Sequence, residues 1–276
     1  MNAPDSFGVT DLHNHLVPGV DDGARTVEEA LEALGRLQAE GVGTLVATPH
    51  LDASVTLSEK AFETRMAEVD SGWKDLTEAV ESSFPELSVF RGHEVMLDVP
   101  HPDFSDPRTR LSGGDFVLVE WPSLRVPPAT GPALDRLRDD GYRVVLAHPE
   151  RYHGLDGGLH MPGEWRDRGA LLQVNYGSLA GRYGDAPRRR AFTLLERGWV
   201  DLFSTDFHGR PHLSIYLTAV REAMSDLGGE EQFHLLSSTN PSRILQGEEP
   251  LPVPPLQLKK SFWDKLRDVF QAPERW

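Results

Sequence analysis

Short runs of apolar and β-branched residues alternate along the chain with longer stretches whose apolar positions recur every three to four residues. Runs at 8–12, 44–48, 87–91, 116–120, 143–147, 171–175 and 200–204 read as strands. Helical spacing fills most of the gaps, at 27–40, 58–82, 132–140, 188–196 and most of 212–246, with Gly228-Gly229 as a break. The first helix shows the logic. Val27, Ala30, Leu31, Leu34 and Leu37 share one face, Thr26 and Glu29 have capping-box spacing at its start, and Gly41 stops it. Strands alternating with helices predict a parallel sheet or barrel covered by helices.

Length and composition narrow this. The 276 residues suit a single α/β barrel without strain. Hydrophobic residues at 39% and charged residues at 26% are globular values. No run approaches the ~18 apolar residues of a membrane span, and residues 1–8 lack the basic start and apolar core of a secretory signal. There is no cysteine, which excludes disulfides, thiolate nucleophiles and Cys-ligated metals, and suits a reducing, cytoplasmic setting. A net charge of −15 argues against nucleic acid as a partner, since phosphate backbones are repelled. A phosphate substrate stays compatible if bound cations reverse the sign locally.

The candidate chemistry lies at the strand ends. Asp11-Leu12-His13-Asn14-His15 puts two imidazoles two residues apart, on the same side of a strand. His50 follows the second strand, Glu94 the third, Glu120 ends the fourth, His148 the fifth, and Asp206 and His208 follow the seventh. In parallel strands those ends converge on one face. Such a rim is costly to bury unless it binds something cationic. Imidazole and carboxylate ligands without sulfur suit Mn²⁺, Fe²⁺ or Zn²⁺.

These residues carry a resemblance. Asp11-Leu-His-Asn-His-Leu-Val-Pro-Gly-Val-Asp-Asp-Gly-Ala24, Ala47-Thr-Pro-His50, Gly92-His-Glu94, Val119-Glu-Trp-Pro122, Ala147-His-Pro-Glu-Arg151, Gly177-Ser-Leu-Ala-Gly181 and Thr205-Asp-Phe-His208 resemble the polymerase and histidinol phosphatase (PHP) superfamily. Within it, the sequence is most similar to bacterial tyrosine-protein phosphatases of capsule and exopolysaccharide synthesis. The resemblance spans roughly residues 8–247. It implies a distorted (β/α)7, TIM-like barrel with three divalent ions, Mn²⁺ first, at the carboxyl ends of the strands. His13, His15, Glu94 and Asp206 would hold the first ion. Glu94 would bridge to the second, shared with Glu120 and His148, and Asp22, His50 and His208 would hold the third. A hydroxide bridging two ions would attack phosphorus. The implied substrate is a phosphotyrosine protein, the tail of a bacterial tyrosine kinase.

Arg151 is placed to bind a phosphate oxygen, with a surface pair to Glu150 as its alternative, and Arg210 is a second candidate. Leu51 stands where relatives often have a second His. Tyr176 is read as packing on the rim rather than stacking on a substrate ring. His93, His101, His153, His160, His212 and His234 fit no ligand pattern and read as surface or structural. The chain divides into a body at 1–247, a Pro-rich linker at 248–258 and a short amphipathic segment at 259–276. That segment is read as packing on the body or on another subunit in preference to lying on a membrane. The rival functions are a small-molecule phosphomonoesterase of the histidinol phosphatase type and an inactive metal-binding regulator. Asp22 argues against the first, because that branch more often carries a His there.

Overall fold

The structure, a computed structural model, describes residues 8–155 and 159–258. The chain runs β1 (Val9–Asn14), α1 (Val27–Ala39), β2 (Val42–Ala47), β3 (His50–Asp52), α2 (Glu59–Ser83), β4 (Ser88–Arg91), β5 (Glu94–Met96), β6 (Phe116–Glu120), α3 (Thr130–Asp139), β7 (Arg143–Ala147) and α4 (His160–Asp167). It continues through β8 (Leu171–Asn175), α5 (Tyr176–Ala180), α6 (Asp185–Glu196), β9 (Leu202–Ser204), α7 (Leu217–Asp226), α8 (Glu230–His234), a π-helical turn and α9 (Asn240–Leu245). Every pairing is parallel. One sheet has the order β1-β2-β4 and the other β3-β5-β6-β7-β8-β9.

The seven expected strands are present, but two of them break. Pro49 has no N–H for a ladder, so the second strand divides into β2 and β3. Gly92 divides the third, where a Cβ would stand 3.2 Å from the Leu111 Cα. The single (β/α)7 ladder expected from the sequence is therefore two parallel sheets. Gly92 N donates to the Ala47 carbonyl at 3.0 Å and Glu94 N to Pro49 at 3.2 Å, so each sheet stays paired up to its own side of the breaks. On the far side Asp206 N donates to His13 O at 2.8 Å and His15 N to Phe207 O at 2.9 Å. Both breaks matter for chemistry, because they set His50 opposite Glu94 in the β3–β5 register.

Two apolar clusters flank the strands. Leu12, Val46, Leu118, Val145 and Leu202 form one. Leu45, Val117, Val144, Leu146, Val174 and Phe203 pack against helix residues such as Leu34, Leu37, Leu134, Leu137, Leu194 and Leu195 in the other. Burial on both faces explains why the strands read as continuous apolar runs. At the start of α1, Thr26 Oγ1 accepts from Glu29 N at 3.3 Å, but Glu29 reaches Arg25 N at 2.9 Å. The capping box is thus half-formed.

Residues 248–258 do not hang free as a linker. Val253 and Leu256 are buried in the main core, Leu256 N donates to Leu195 O at 2.9 Å, and the Asn240 side chain brackets Leu251 through both of its backbone groups. Apolar side chains set between the prolines give this strap its grip. The amphipathic pattern at 259–276 lies outside the described residues. Among the described residues no helix is long and apolar enough to cross a membrane.

Candidate metal centre

The nine expected ligands meet at the carboxyl ends of the strands. Glu94 is at the centre, 1% exposed. Its Oε1 lies 2.9 Å from His148 Nε2, and its Oε2 lies 3.2 Å from His13 Nε2, 3.4 Å from His15 Nε2 and 3.1 Å from His50 Nδ1. Asp206 Oδ1 stands 3.6, 3.5 and 3.5 Å from His13, His15 and His208. Glu120 approaches His50 at 3.7 Å and His148 at 3.9 Å. Asp22 Oδ1 faces His208 Nε2 at 3.3 Å and His50 Nε2 at 3.5 Å.

The donor atoms gather into four overlapping groups: His15, Asp22, His50 and His208; His13, His15 and Glu94; His13, His148 and Asp206; and His50, Glu94 and Glu120. His15 thus faces the set expected for the third ion as well as the first. His50 stands beside Glu94 and Glu120 as well as Asp22.

Hydrogen bonds behind the cluster fix which atoms point inward. His13 Nδ1 donates to Gln173 Oε1 at 2.9 Å, and Gln173 Nε2 donates to Asn175 Oδ1 at 2.7 Å. His15 Nδ1 donates to Asp21 Oδ2 at 2.9 Å. Both imidazoles therefore turn an Nε2 lone pair towards Glu94, and the two Nε2 atoms lie 3.3 Å apart. Lone pairs facing a carboxylate at this distance repel unless a cation or proton stands between them. The donor set fits divalent first-row ions.

Titration follows the same crowding. Burial opposes charge on His13, but the Glu94 and Asp206 carboxylates outweigh it and hold the imidazole up at about 9. Burial, then the Glu94 charge, pushes Glu120 up to about 7. For His148 burial wins and the imidazole is lowered.

Three supporting residues lie beyond the ligand pattern. Asp21 holds His15 and also accepts from Gly23 N at 2.9 Å and His50 N at 3.1 Å. It stands in the Asp-Asp-Gly run that pointed to Asp22. Gln173 and Asn175 share one face of β8, and Asn175 Nδ2 donates to Asp206 Oδ2 at 2.7 Å. Asp21→Ala is expected to weaken metal binding by about 10- to 100-fold, the usual effect of losing a residue that orients a ligand. Metal titration calorimetry checks this, and an unchanged affinity would remove Asp21 from the account.

Arg151 reaches inward. Its Nη1 lies 2.6 Å from Asp206 Oδ2, and its guanidinium stands 4.1 Å from the Tyr183 ring centre. The alternative pair with Glu150 does not form. Glu150 is fully buried and accepts from Ser178 Oγ at 2.6 Å and Asn175 N at 3.1 Å. Arg210 instead braces the loop of Asp22, donating to the Asp22 carbonyl and to Glu29 at 3.1 Å each. Tyr176 is buried and donates to Ser237 Oγ at 2.9 Å, and the ring that faces Arg151 is that of Tyr183. His93 is buried too, with Nδ1 donating to the Arg108 carbonyl at 2.9 Å.

Histidines and carboxylates converging at the ends of parallel strands define the class, a metal-dependent α/β hydrolase. The family described as capsular polysaccharide synthesis, CpsB/CapC, matches residues 9–246, and the chain belongs to it. Tyrosine-protein phosphatase YwqE of Bacillus subtilis is 25% identical over 252 residues, 91% of this chain and 96% of its own. Tyrosine-protein phosphatase CpsB of Streptococcus pneumoniae is 24% identical over 245 residues, 86% of this chain and 98% of its own. The fold is also similar to a chain from the crystal structures of these two, described as unique metal-dependent tyrosine phosphatases. That match has a TM-score of 0.74 and 23% identity, and covers 91% of this chain and all of the other. The phosphotriesterase homology protein of Escherichia coli shares the fold at a TM-score of 0.56 and 13% identity, covering 88% of this chain and all of its own.

Proposed function

We propose that this chain hydrolyses phosphotyrosine in a protein substrate, with three divalent ions, Mn²⁺ before Fe or Zn, held by the nine clustered residues. The observation that carries this is the inward turn of the His13 and His15 lone pairs onto buried Glu94, in a chain of the CpsB/CapC family. His13, His15, Glu94 and Asp206 are assigned to the first ion, Glu94, Glu120 and His148 to the second, and Asp22, His50 and His208 to the third. When bound, such ions attract a phosphate and activate water for attack on phosphorus.

The protein supplies the orientation. Gln173 and Asp21 hold the two imidazoles in one tautomer. Arg151 offers its guanidinium to a phosphate oxygen, while Asp206 and Tyr183 fix its edge and face. Arg210 supports the substrate end indirectly, by holding the loop that carries Asp22.

The proposed partner is the tail of a tyrosine kinase that regulates capsule or exopolysaccharide synthesis, and the proposed setting is the cytoplasm. The two sheets, linked by the chain itself from β2 to β3 and by backbone bonds where β1 meets residues 206 and 207, are read as one distorted (β/α)7 barrel.

The test compares a phosphotyrosine peptide with histidinol phosphate, using Mn²⁺-loaded protein. A higher kcat/KM for the peptide supports the reading. Preference for histidinol phosphate moves the function to a small-molecule phosphatase, and turnover of neither leaves a metal-binding regulator.

A further inference from the structure

Four arginines crowd the α5–α6 hairpin: Arg182, Arg188, Arg189 and Arg190, against the single acid Asp185 within 176–190. In a chain of net charge −15 this is a local reversal of sign. The hairpin adjoins the catalytic rim. Arg190 Nη1 donates to the Tyr152 carbonyl at 2.9 Å, one residue past Arg151. Tyr183 lies against the Arg151 guanidinium, and the Arg182 guanidinium stands 5.4 Å from the same ring centre. One aromatic ring thus joins the arginine of the site to an arginine of the hairpin.

Gly177 and Gly181 make the room. A Cβ on Gly177 would stand 3.2 Å from Arg182 Cδ, and one on Gly181 3.5 Å from Arg188 Cδ. Arg182 and Arg188 therefore each lay their side-chain stem against one of the two glycines of the Gly177-Ser178-Leu179-Ala180-Gly181 motif, which no metal ligand explains.

Among the described residues neither arginine has an ion pair to a carboxylate, whereas Arg65, Arg108, Arg143 and Arg166 each do. Arg188 Nε is buried without a hydrogen-bond partner. Burial lowers the Arg188 guanidinium, against the pull of Asp185 at longer range. A cation partly stripped of water, with no anion in contact, gains when an anion arrives.

We infer that Arg182 and Arg188 form a second anion subsite on the lip of the active site. It takes a carboxylate or phosphate carried on the same polypeptide as the phosphotyrosine. The inference rests on the phosphotyrosine reading above and names the substrate class within it. Each guanidinium presents a planar fork that matches either anion.

The test uses Mn²⁺-loaded full-length protein and three short peptides, each with a central phosphotyrosine. One has neutral flanks, one has glutamates, and one has a second phosphotyrosine. The anionic peptides are expected to exceed the neutral one in kcat/KM by about tenfold, chiefly through KM. Added salt is expected to close the gap. In the double variant Arg182→Ala/Arg188→Ala the ratio falls towards one, while Arg189→Ala, exposed on the same helix, keeps it. Preference for both anionic peptides assigns any anion to the subsite, and preference for the doubly phosphorylated one alone assigns a phosphate. Equal rates for all three, or a ratio that survives in the double variant, overturn the inference while the phosphotyrosine reading stands. Failure to turn over any peptide overturns that reading, and the subsite with it.

Discussion

Glu94→Gln is expected to lower kcat/KM for a phosphotyrosine peptide by on the order of 10³, about 4 kcal/mol of transition-state stabilisation. The substitution keeps the side-chain shape and removes the charge. Among the described residues Glu94 is the one carboxylate within 3.4 Å of four imidazoles, those of His13, His15, His50 and His148. A neutral amide there cannot balance cations shared between neighbouring groups, and its NH₂ group would point a donor at the metal. Steady-state kinetics at saturating Mn²⁺ read the effect, with circular dichroism to confirm the fold. A loss below tenfold would mean that Glu94 does not bridge the cluster.

Stripping the metal is expected to lower Tm by about 5–15 °C. An ion at 100 to 1,000 times its dissociation constant stabilises by about 2.7–4.1 kcal/mol. Each kcal/mol moves Tm by about 2–4 °C for chains of 150–250 residues. The gap should widen with pH. In the metal-free protein His13 is raised to about 9, so the stability it contributes is full below its unfolded value near 6.5 and fades as pH rises through 9. Metal binding runs the other way, because ions need the unprotonated imidazole and compete better as pH climbs. Differential scanning calorimetry of loaded and stripped protein at pH 6 and pH 8.5 measures both trends. A gap that shrinks with pH would contradict the account.

How much was legible in the sequence depended on how each feature is built. Strands buried on both faces are apolar throughout, so β6, β7 and β8 stood out. β3 and β5 have three residues each, too few to show a period, so the breaks at Pro49 and Gly92 stayed hidden. α4 carries Pro162 and Gly163 inside it, and α5 is five residues long, so neither gave a helical pattern. The nine ligand-type side chains were visible because most of them stand at or just after strand ends, inside motifs that resemble a known family's. Their supports were not. Gln173 orients His13 from 160 residues away, and nothing local marks an amide for that task. Asp21 stood beside a named residue, in a run where either carboxylate suited a ligand. The strap at 248–258 reads as a linker by its prolines, yet Val253 and Leu256 tie it to the core.

The measurement that bears most directly on the central claim is a titration of chelator-stripped protein with Mn²⁺, following bound metal and phosphotyrosine-peptide turnover in the same samples. The account predicts no turnover in the stripped protein, and turnover that rises as the cluster fills towards three ions per chain. Full turnover without bound metal, or a filled site that leaves the peptide intact, would contradict it.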